Sequence, residues 1–461
     1  MAGSADGLVR IAERVAAFRR TVGERPVAQG FDAGRLRDAL GQSLPDEGTD
    51  PDAVIDQLVA AVDPALVASA GPRYFGFVVG GALESATRAD MLTTGWDQMA
   101  FNYLSSPAAA LVEEVVGEWL KEALGLPSGA SFGLATGGQG ANNVGLAAAR
   151  HHVLERAGWD VERRGLTSAP PIRVIAGEER HATIDRSLRL LGLGADAVEP
   201  IPADANGAID AAALEAALAD AGDGPVIVCL QAGNVNTGAC DDLARGCQAA
   251  HARDAWVHVD GAFGLWAAAS PSKRALVSGI EQADSWAVDG HKWLNVPYDT
   301  GFVFCAHPDV HVASMTYTAA YLAGQAEGAS RGPSDYVPES SRRARGFATW
   351  AALRELGRSG LAELVDRCCA LAERFAERLA RMDGVEIGNE IVLNQALASF
   401  GTDERTDRLI EAAQRDGTFW AGGTTWHGRR YMRISISNHA TTEADVDRCV
   451  DAIERLVGEL A

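Results

Sequence analysis

The chain has 461 residues, 47% of them hydrophobic and 22% charged, with a formal net charge of −21. This is the composition of a folded globular protein, and its acidic balance argues against nucleic acid or an anionic membrane surface as a partner. Seven cysteines without a C-x-x-C pair read as reduced thiols, and no apolar run reaches the roughly 18 residues of a membrane span.

The start, Met1-Ala2-Gly3-Ser4-Ala5-Asp6, lacks the basic and apolar regions of a signal peptide, so a cytoplasmic protein is expected. Residues 1–72 are Ala-, Asp- and Arg-rich with helical spacing, as in Val54, Ile55, Leu58, Val59 and Val62. Glycine and proline punctuate them at short intervals, which predicts a helical N-terminal arm. A denser segment follows, from Tyr74-Phe75-Gly76-Phe77 to Gly81, and leads into a helix near Ala89. Thr136-Gly137-Gly138-Gln139-Gly140-Ala141-Asn142-Asn143 lies after a short strand and opens another helix. Glycines there let the backbone approach an anion, and the helix N-terminus offers free N–H donors. Neither G-x-G-x-x-G nor the P-loop pattern is present, so a simple phosphate ester fits better than a nucleotide. A plain strand-to-helix turn has the same pattern.

Between residues 132 and 304 strand-like runs alternate with helical ones: Val174-Ile175-Ala176, Val226-Ile227-Val228-Cys229-Leu230, Trp256-Val257-His258-Val259, Ser285-Trp286-Ala287-Val288 and Phe302-Val303-Phe304. That alternation predicts an α/β fold with a mostly parallel sheet. Residues 323–338, rich in Gly, Ser and Pro, read as a mobile loop, and 344–379 as a long helix. A strand at Met432-Arg433-Ile434-Ser435-Ile436-Ser437 precedes a last helix opened by Thr441-Thr442-Glu443-Ala444-Asp445, a capping box. The expected organisation is an arm over 1–72, a large domain over 73–322, the loop over 323–338 and a small domain over 339–461.

Two of these runs end on chemistry. Asp260 closes the strand at Trp256, and Lys292 follows the strand in Asp284-Ser285-Trp286-Ala287-Val288-Asp289-Gly290-His291-Lys292-Trp293. An aspartate at the carboxyl end of one buried strand and a lysine just past another is what pyridoxal phosphate chemistry requires. The lysine forms the Schiff base, and the carboxylate keeps the pyridine nitrogen protonated so that the ring accepts electrons. His181, just after the strand at Val174, either stacks over an aromatic cofactor or is a polar loop histidine. His258 shares the face of Asp260 but lies deeper and reads as structural. His151 and His152 are adjacent on a helix and cannot share one face for a metal, so no metal site is expected.

The order of phosphate turn, histidine, aspartate and lysine resembles the group II pyridoxal phosphate-dependent amino-acid decarboxylases, the aromatic-amino-acid and glutamate decarboxylase group. Pro72-Arg73-Tyr74-Phe75-Gly76-Phe77, Ser106-Pro107-Ala108 with the helix at 113–124, Ser340-Ser341-Arg342-Arg343-Ala344-Arg345 with Trp350, and Arg433-Ile434-Ser435 extend the similarity over nearly the whole chain. The resemblance implies the aspartate-aminotransferase-like fold (type I), with a mostly parallel seven-stranded sheet in the large domain and a smaller α+β domain. It implies Lys292 as the Schiff-base lysine, Asp260 at the ring nitrogen, His181 on one ring face and Ala262 on the other, and Gly137, Gly138 and His291 at the phosphate. Gln139 stands where a hydroxyl or smaller residue is common. Asn234-Val235-Asn236-Thr237-Gly238 replaces a Gly-Thr-Thr type segment, and Gly261 a frequent alanine. Gln139 and Asn234 are counted as cofactor contacts.

The activity expected is decarboxylation of an aromatic or bulky L-amino acid to its amine, with Tyr74, Phe75, Phe77, Phe101 and Tyr103 as pocket candidates, although aromatic residues also fill cores. The same cofactor supports decarboxylation coupled to oxidative deamination, giving an aldehyde, and transamination; a scaffold without cofactor is the non-enzymatic alternative. Tyr336, next to Asp335, either protonates the former α-carbon or anchors the loop's end. A homodimer with shared active sites is implied as well, the arm packing across its two-fold axis.

Overall fold

The computed structural model describes residues 5–28, 30–41, 43–220, 222–317 and 332–460. Helices Ala5–Thr21, Ala33–Leu40 and Pro51–Val62 come first. Asp32 and Asp50 cap the second and third, each accepting two backbone N–H bonds of the first turn. Arg10 and Arg14 pair with Asp52 and Asp56 between the first and third helices. Neither of the later two helices buries a side chain.

Seven strands form the main sheet: β1 (Ser131–Ala135), β2 (Arg173–Gly177), β3 (Val198–Ile201), β4 (Val226–Gln231), β5 (Trp256–Asp260), β6 (Ser285–Asp289) and β7 (Gly301–Cys305). Their order is β1-β7-β6-β5-β4-β2-β3. Only β7 runs antiparallel, against both β1 and β6. The mostly parallel seven-stranded sheet expected from the sequence is what the chain forms. β4 to β7 are buried at every residue, which accounts for their continuous apolar runs: strands covered on both faces have no solvent side to alternate toward.

The two-residue period sorts β5 onto two faces. Val257 and Val259 join the main core with Val228, Leu230 and Trp266. Trp256, His258 and Asp260 point the other way, toward the helix Gly138–Arg156. That helix lies so close that a Cβ on Gly145 would come within 2.6 Å of the His258 ring.

The helix Gly346–Leu379, broken at Gly357 (φ 59°), leads to a second sheet. It contains β8 (Glu386–Ile387), β9 (Gln395–Ser399), β10 (Gly422–Trp426) and β11 (Arg429–Ser435), antiparallel in the order β10-β11-β9-β8. Of the four, β11 was the strand foreseen. The final helix, Glu443–Glu459, has the expected capping box, between Thr442 and Asp445. Residues 74–81 stitch the two sheets together: Phe75 N–H donates to Trp420 O (2.8 Å) and Ser435 N–H to Phe75 O (3.1 Å). Of the expected loop, 323–331 lie outside the described residues. No helix among the described residues is long and apolar enough to cross a membrane.

Candidate active site

The carboxyl ends of β1, β2, β4, β5 and β6 face one end of the sheet, where parallel α/β sheets place their binding crevice. β6 ends on Asp289 and turns through Gly290, His291 and Lys292. The turn is gripped from both sides. A Cβ on Gly80 would sit 1.6 Å from the Lys292 carbonyl oxygen, and Asn295 Nδ2 donates to Trp293 O (2.8 Å) and Ser437 O (2.9 Å). Lys292 Nζ lies 2.8 Å from Asp289 Oδ2, and His291 Nε2 lies 3.3 Å from Asp289 Oδ1. Thr300 N–H donates to His291 Nδ1 (3.2 Å), which leaves the ring proton on Nε2, facing Asp289. Burial holds the His291 pKa below its ordinary value.

The glycine turn after β1 packs directly on this lysine turn. Gly137 has φ 81°, a conformation suited to glycine, and a Cβ there would approach the His291 ring at 3.0 Å. Gly138 N–H donates to Asp289 Oδ1. Gln139 turns aside, its Nε2 donating to Ser187 Oγ (2.8 Å) and Thr183 O (3.3 Å).

Asp260 is buried at the end of β5 with three donors around it: Asn142 Nδ2 (3.1 Å), Thr183 Oγ1 (3.3 Å) and Ala262 N–H (3.2 Å). Ala262 O accepts Asp289 N–H (2.9 Å) and so joins the ends of β5 and β6. His181 caps the helix Ala182–Leu190, its Nδ1 accepting Thr183 N–H (3.3 Å). Burial lowers its pKa, and the charges of Asp260, Lys292, Arg433 and Asp289 all act on its ring. Four charged groups from three separate parts of the chain therefore act on one imidazole.

Asn234 lies after β4 with its side chain turned into its own segment. Oδ1 accepts from Asn236 N–H (2.8 Å) and Thr237 N–H (3.3 Å), and Nδ2 donates to Glu179 O (3.0 Å). Tyr74 stacks on Trp420 (5.1 Å between centroids), as Phe77 does on the same indole (5.9 Å). Phe75 is fully buried against Phe375 and Phe419, so its ring belongs to the core. Tyr103 bonds Glu114, and Phe101 O accepts Ser334 N–H (3.1 Å), which puts both in a separate group. Tyr336 lies beside the middle of β1, where a Cβ on Gly133 would come 3.0 Å from its carbonyl oxygen. Its carbonyl faces His311 Nε2 (2.9 Å), and Ser131 Oγ holds His311 Nδ1 at 2.8 Å.

Four participants escaped the sequence reading. Asp289 lies inside the lysine motif, and Asn142 inside the glycine turn's helix, without a spacing rule to mark them. Thr183 follows His181 by two residues. Arg433 was read only as part of a strand; it is partly buried, Nη1 donates to Val235 O (2.8 Å), and burial lowers its pKa to about 10, leaving it a cation.

The family model described as the pyridoxal-dependent decarboxylase conserved domain matches residues 34–400. Tryptophan decarboxylase 1 of Oryza sativa subsp. japonica is 27% identical over 96% of this chain and 91% of its own length. The 4-hydroxyphenylacetaldehyde synthase of Rhodiola rosea is 27% identical over 98% of this chain and 93% of its own. The crystal structure of Oryza sativa TDC with PLP and tryptamine shares the fold at a TM-score of 0.92, with 24% identity, covering 100% of this chain and 99% of that one.

Proposed function

Because the chain belongs to the pyridoxal-dependent decarboxylase family, and is thereby a carboxy-lyase using pyridoxal phosphate, we propose that its substrate is an aromatic L-amino acid, converted to the amine and CO₂. The observation that carries the reading is the arrangement of Lys292 against Asp289 past β6, Asp260 at the end of the neighbouring β5 and the Gly137–Gly138 turn against both His291 and Asp289.

The residues fit the cofactor. At Gly137 and Gly138 side chains would close the cradle against His291 and Asp289, and a backbone N–H turn, a lysine and a buried carboxylate match a phosphate, an aldehyde and a basic ring nitrogen. When bound, the cofactor supplies an aldehyde that captures the substrate amine and a ring that takes up the electron pair left by departing CO₂. Gly137, Gly138 and His291 would hold the phosphate, Asp260 would hold the proton at the ring nitrogen, and Lys292 Nζ would be the amine that anchors the aldehyde. His181 and Ala262 bound the ring. Arg433 provides the cation toward which a substrate carboxylate is drawn. Tyr336, carried on the segment after residue 331, is assigned to a neighbouring subunit's site as the donor of the final proton to carbon.

Aromatic preference is supported by the Tyr74–Trp420–Phe77 stack, since Arg433 lies close enough to act on the Tyr74 hydroxyl. The similarity to a tryptophan decarboxylase points the same way. A second reading, decarboxylation with oxidative deamination to an aldehyde, is favoured by the equally extensive similarity to an aldehyde synthase. We assign the protein to the cytoplasm as a homodimer, its arm and the exposed Trp96, Leu104 and Leu111 forming the contact. A panel of amino acids scored for amine, CO₂, aldehyde and hydrogen peroxide tests the function. Amine with CO₂ from tryptophan, tyrosine or DOPA supports it, aldehyde with peroxide moves the chain to the second reading, and turnover of acidic amino acids alone overturns the aromatic assignment.

A further inference from the structure

Behind Asp260, on the face of β5 that meets the helix Gly138–Arg156, lies an unbroken row of buried polar groups. Asn142 Nδ2 reaches Asp260 Oδ2 (3.1 Å), Asn142 Oδ1 meets His258 Nε2 (2.9 Å), His258 Nδ1 meets Ser285 Oγ (2.8 Å), and Trp256 Nε1 meets the same Ser285 Oγ (3.0 Å). Asn142, His258 and Ser285 are at most 1% exposed, as is Trp256.

The two ends fix the direction of every bond between them. An indole N–H only donates and a carboxylate only accepts. Asp260 accepts from the Asn142 amide, so Asn142 Oδ1 is left to accept from His258 Nε2–H. The neutral ring then has a bare Nδ1, which accepts the Ser285 hydroxyl proton, and Ser285 Oγ in turn accepts the Trp256 N–H. Reversing any member would set two donors or two acceptors face to face in a dry interior, where an unmade hydrogen bond is costly. Gly145 gives the histidine its space, since a Cβ there would come 2.6 Å from Cε1 and 2.7 Å from Nδ1. Burial lowers the His258 pKa to about 4, in keeping with a neutral ring. Because the indole has no lone pair to pass a proton onward, the row is a fixed scaffold and not a conduit to the surface.

We propose that Asn142, His258 and Ser285 are positioning residues: they hold Asp260 in the orientation that keeps the cofactor's ring nitrogen protonated, with His258 locked as the Nε2–H tautomer. This rests on Asp260 facing the ring nitrogen, although the tautomer does not.

The test uses holoenzyme carrying ¹⁵N in its histidines and, in a second sample, in the cofactor ring. Wild-type protein should show His258 protonated on Nε2 and bare on Nδ1 at neutral pH. Asn142→Ala and Ser285→Ala should lower kcat about ten- to a hundredfold, the range met when partners behind a ligating group are removed. KM should change little, and the ring-nitrogen signal should move toward the unprotonated position. Ser285→Thr, which keeps the hydroxyl, should restore much of both. A His258 proton on Nδ1, or a doubly protonated ring, would overturn the proposal even where the variants fail to fold. Folded variants with wild-type kcat and ring-nitrogen signal would overturn it too. If Asp260→Asn also left the ring nitrogen protonated, the fault would lie with the assignment of Asp260 itself.

Discussion

The Lys292 ammonium lies 2.8 Å from the carboxylate of Asp289, three residues back along the same turn. The carboxylate also accepts Gly138 N–H, the donor that opens the phosphate turn. A negative group thus stands where a phosphate would be held. In Asp289→Asn the repulsion is removed while an acceptor for Gly138 remains. Two charges about 4 Å apart interact by about 1 kcal/mol in water-like surroundings, so cofactor should bind about fivefold tighter, measured by titrating cofactor-free protein. Weaker binding would mean that Asp289 chiefly orients Lys292 and His291.

Reductive trapping with borohydride should fix the cofactor to Lys292, identified by peptide mapping. Lys273 provides the internal control, because its ammonium is held by Glu373 and Val392 O, both at 3.3 Å. Label on Lys273 with Lys292 unmodified would defeat the assignment.

Replacing Asp260 with Asn keeps the shape of the group and removes its charge. Cofactor should still attach to Lys292, while kcat falls about 10²- to 10³-fold, the scale of losing one preorganised electrostatic contact. Near-normal turnover would exclude Asp260 as the ring partner.

Stability should fall in mild acid. Burial pushes His258 and His311 from an ordinary 6.5 down to about 4. Between these values the unfolded chain binds protons that the folded chain refuses, so each histidine's contribution is present above 6.5, shrinks as pH falls and levels off near 4. Shifts of this size correspond to about 3 kcal/mol each. His251, raised by its hydrogen bond to Asp284 and only half buried, works weakly in the opposite sense. Melting temperature should drop between about pH 6.5 and 4.5, and less in His311→Gln than in wild type. A flat profile would contradict the burial argument.

If the chain pairs through its arm as proposed, removing residues 1–65 should weaken that association. The arm leaves Leu8 79% and Leu58 46% exposed within one chain, and Trp96 and Trp350 also face outward. Sedimentation should show a shift toward monomer, with loss of activity. A shortened protein that stays dimeric and fully active would place the interface elsewhere.

Asp260 was legible because it ends an apolar run that only a buried strand explains, and Lys292 because it follows another such run within three residues. Asn142 and Arg433 were not, since their meaning depends on contacts across the fold. Asn142 reaches Asp260 over 118 residues of sequence, and a single chain carries no mark of that approach. β9 (Gln-Ala-Leu-Ala-Ser) lacks the β-branched residues that announce a strand, and β10 begins with two glycines that break the pattern ahead of Thr424, Thr425 and Trp426. Phe75 looked like its neighbours Tyr74 and Phe77, yet the turn of the backbone sends it into the core while they flank Trp420.

The helix Gly138–Arg156 begins at the glycine turn and, one turn later, presents Asn142 to Asp260. Gly138 and Asn142 are separated by about 6 Å of helix rise, a span that no loop movement can stretch. The helix is therefore a gauge, setting the phosphate end and the ring end of the crevice against each other in one rigid piece. A residue inserted within that first turn would throw the two ends out of step by about 100° of rotation, leaving each motif intact in sequence and the crevice unable to hold one molecule at both.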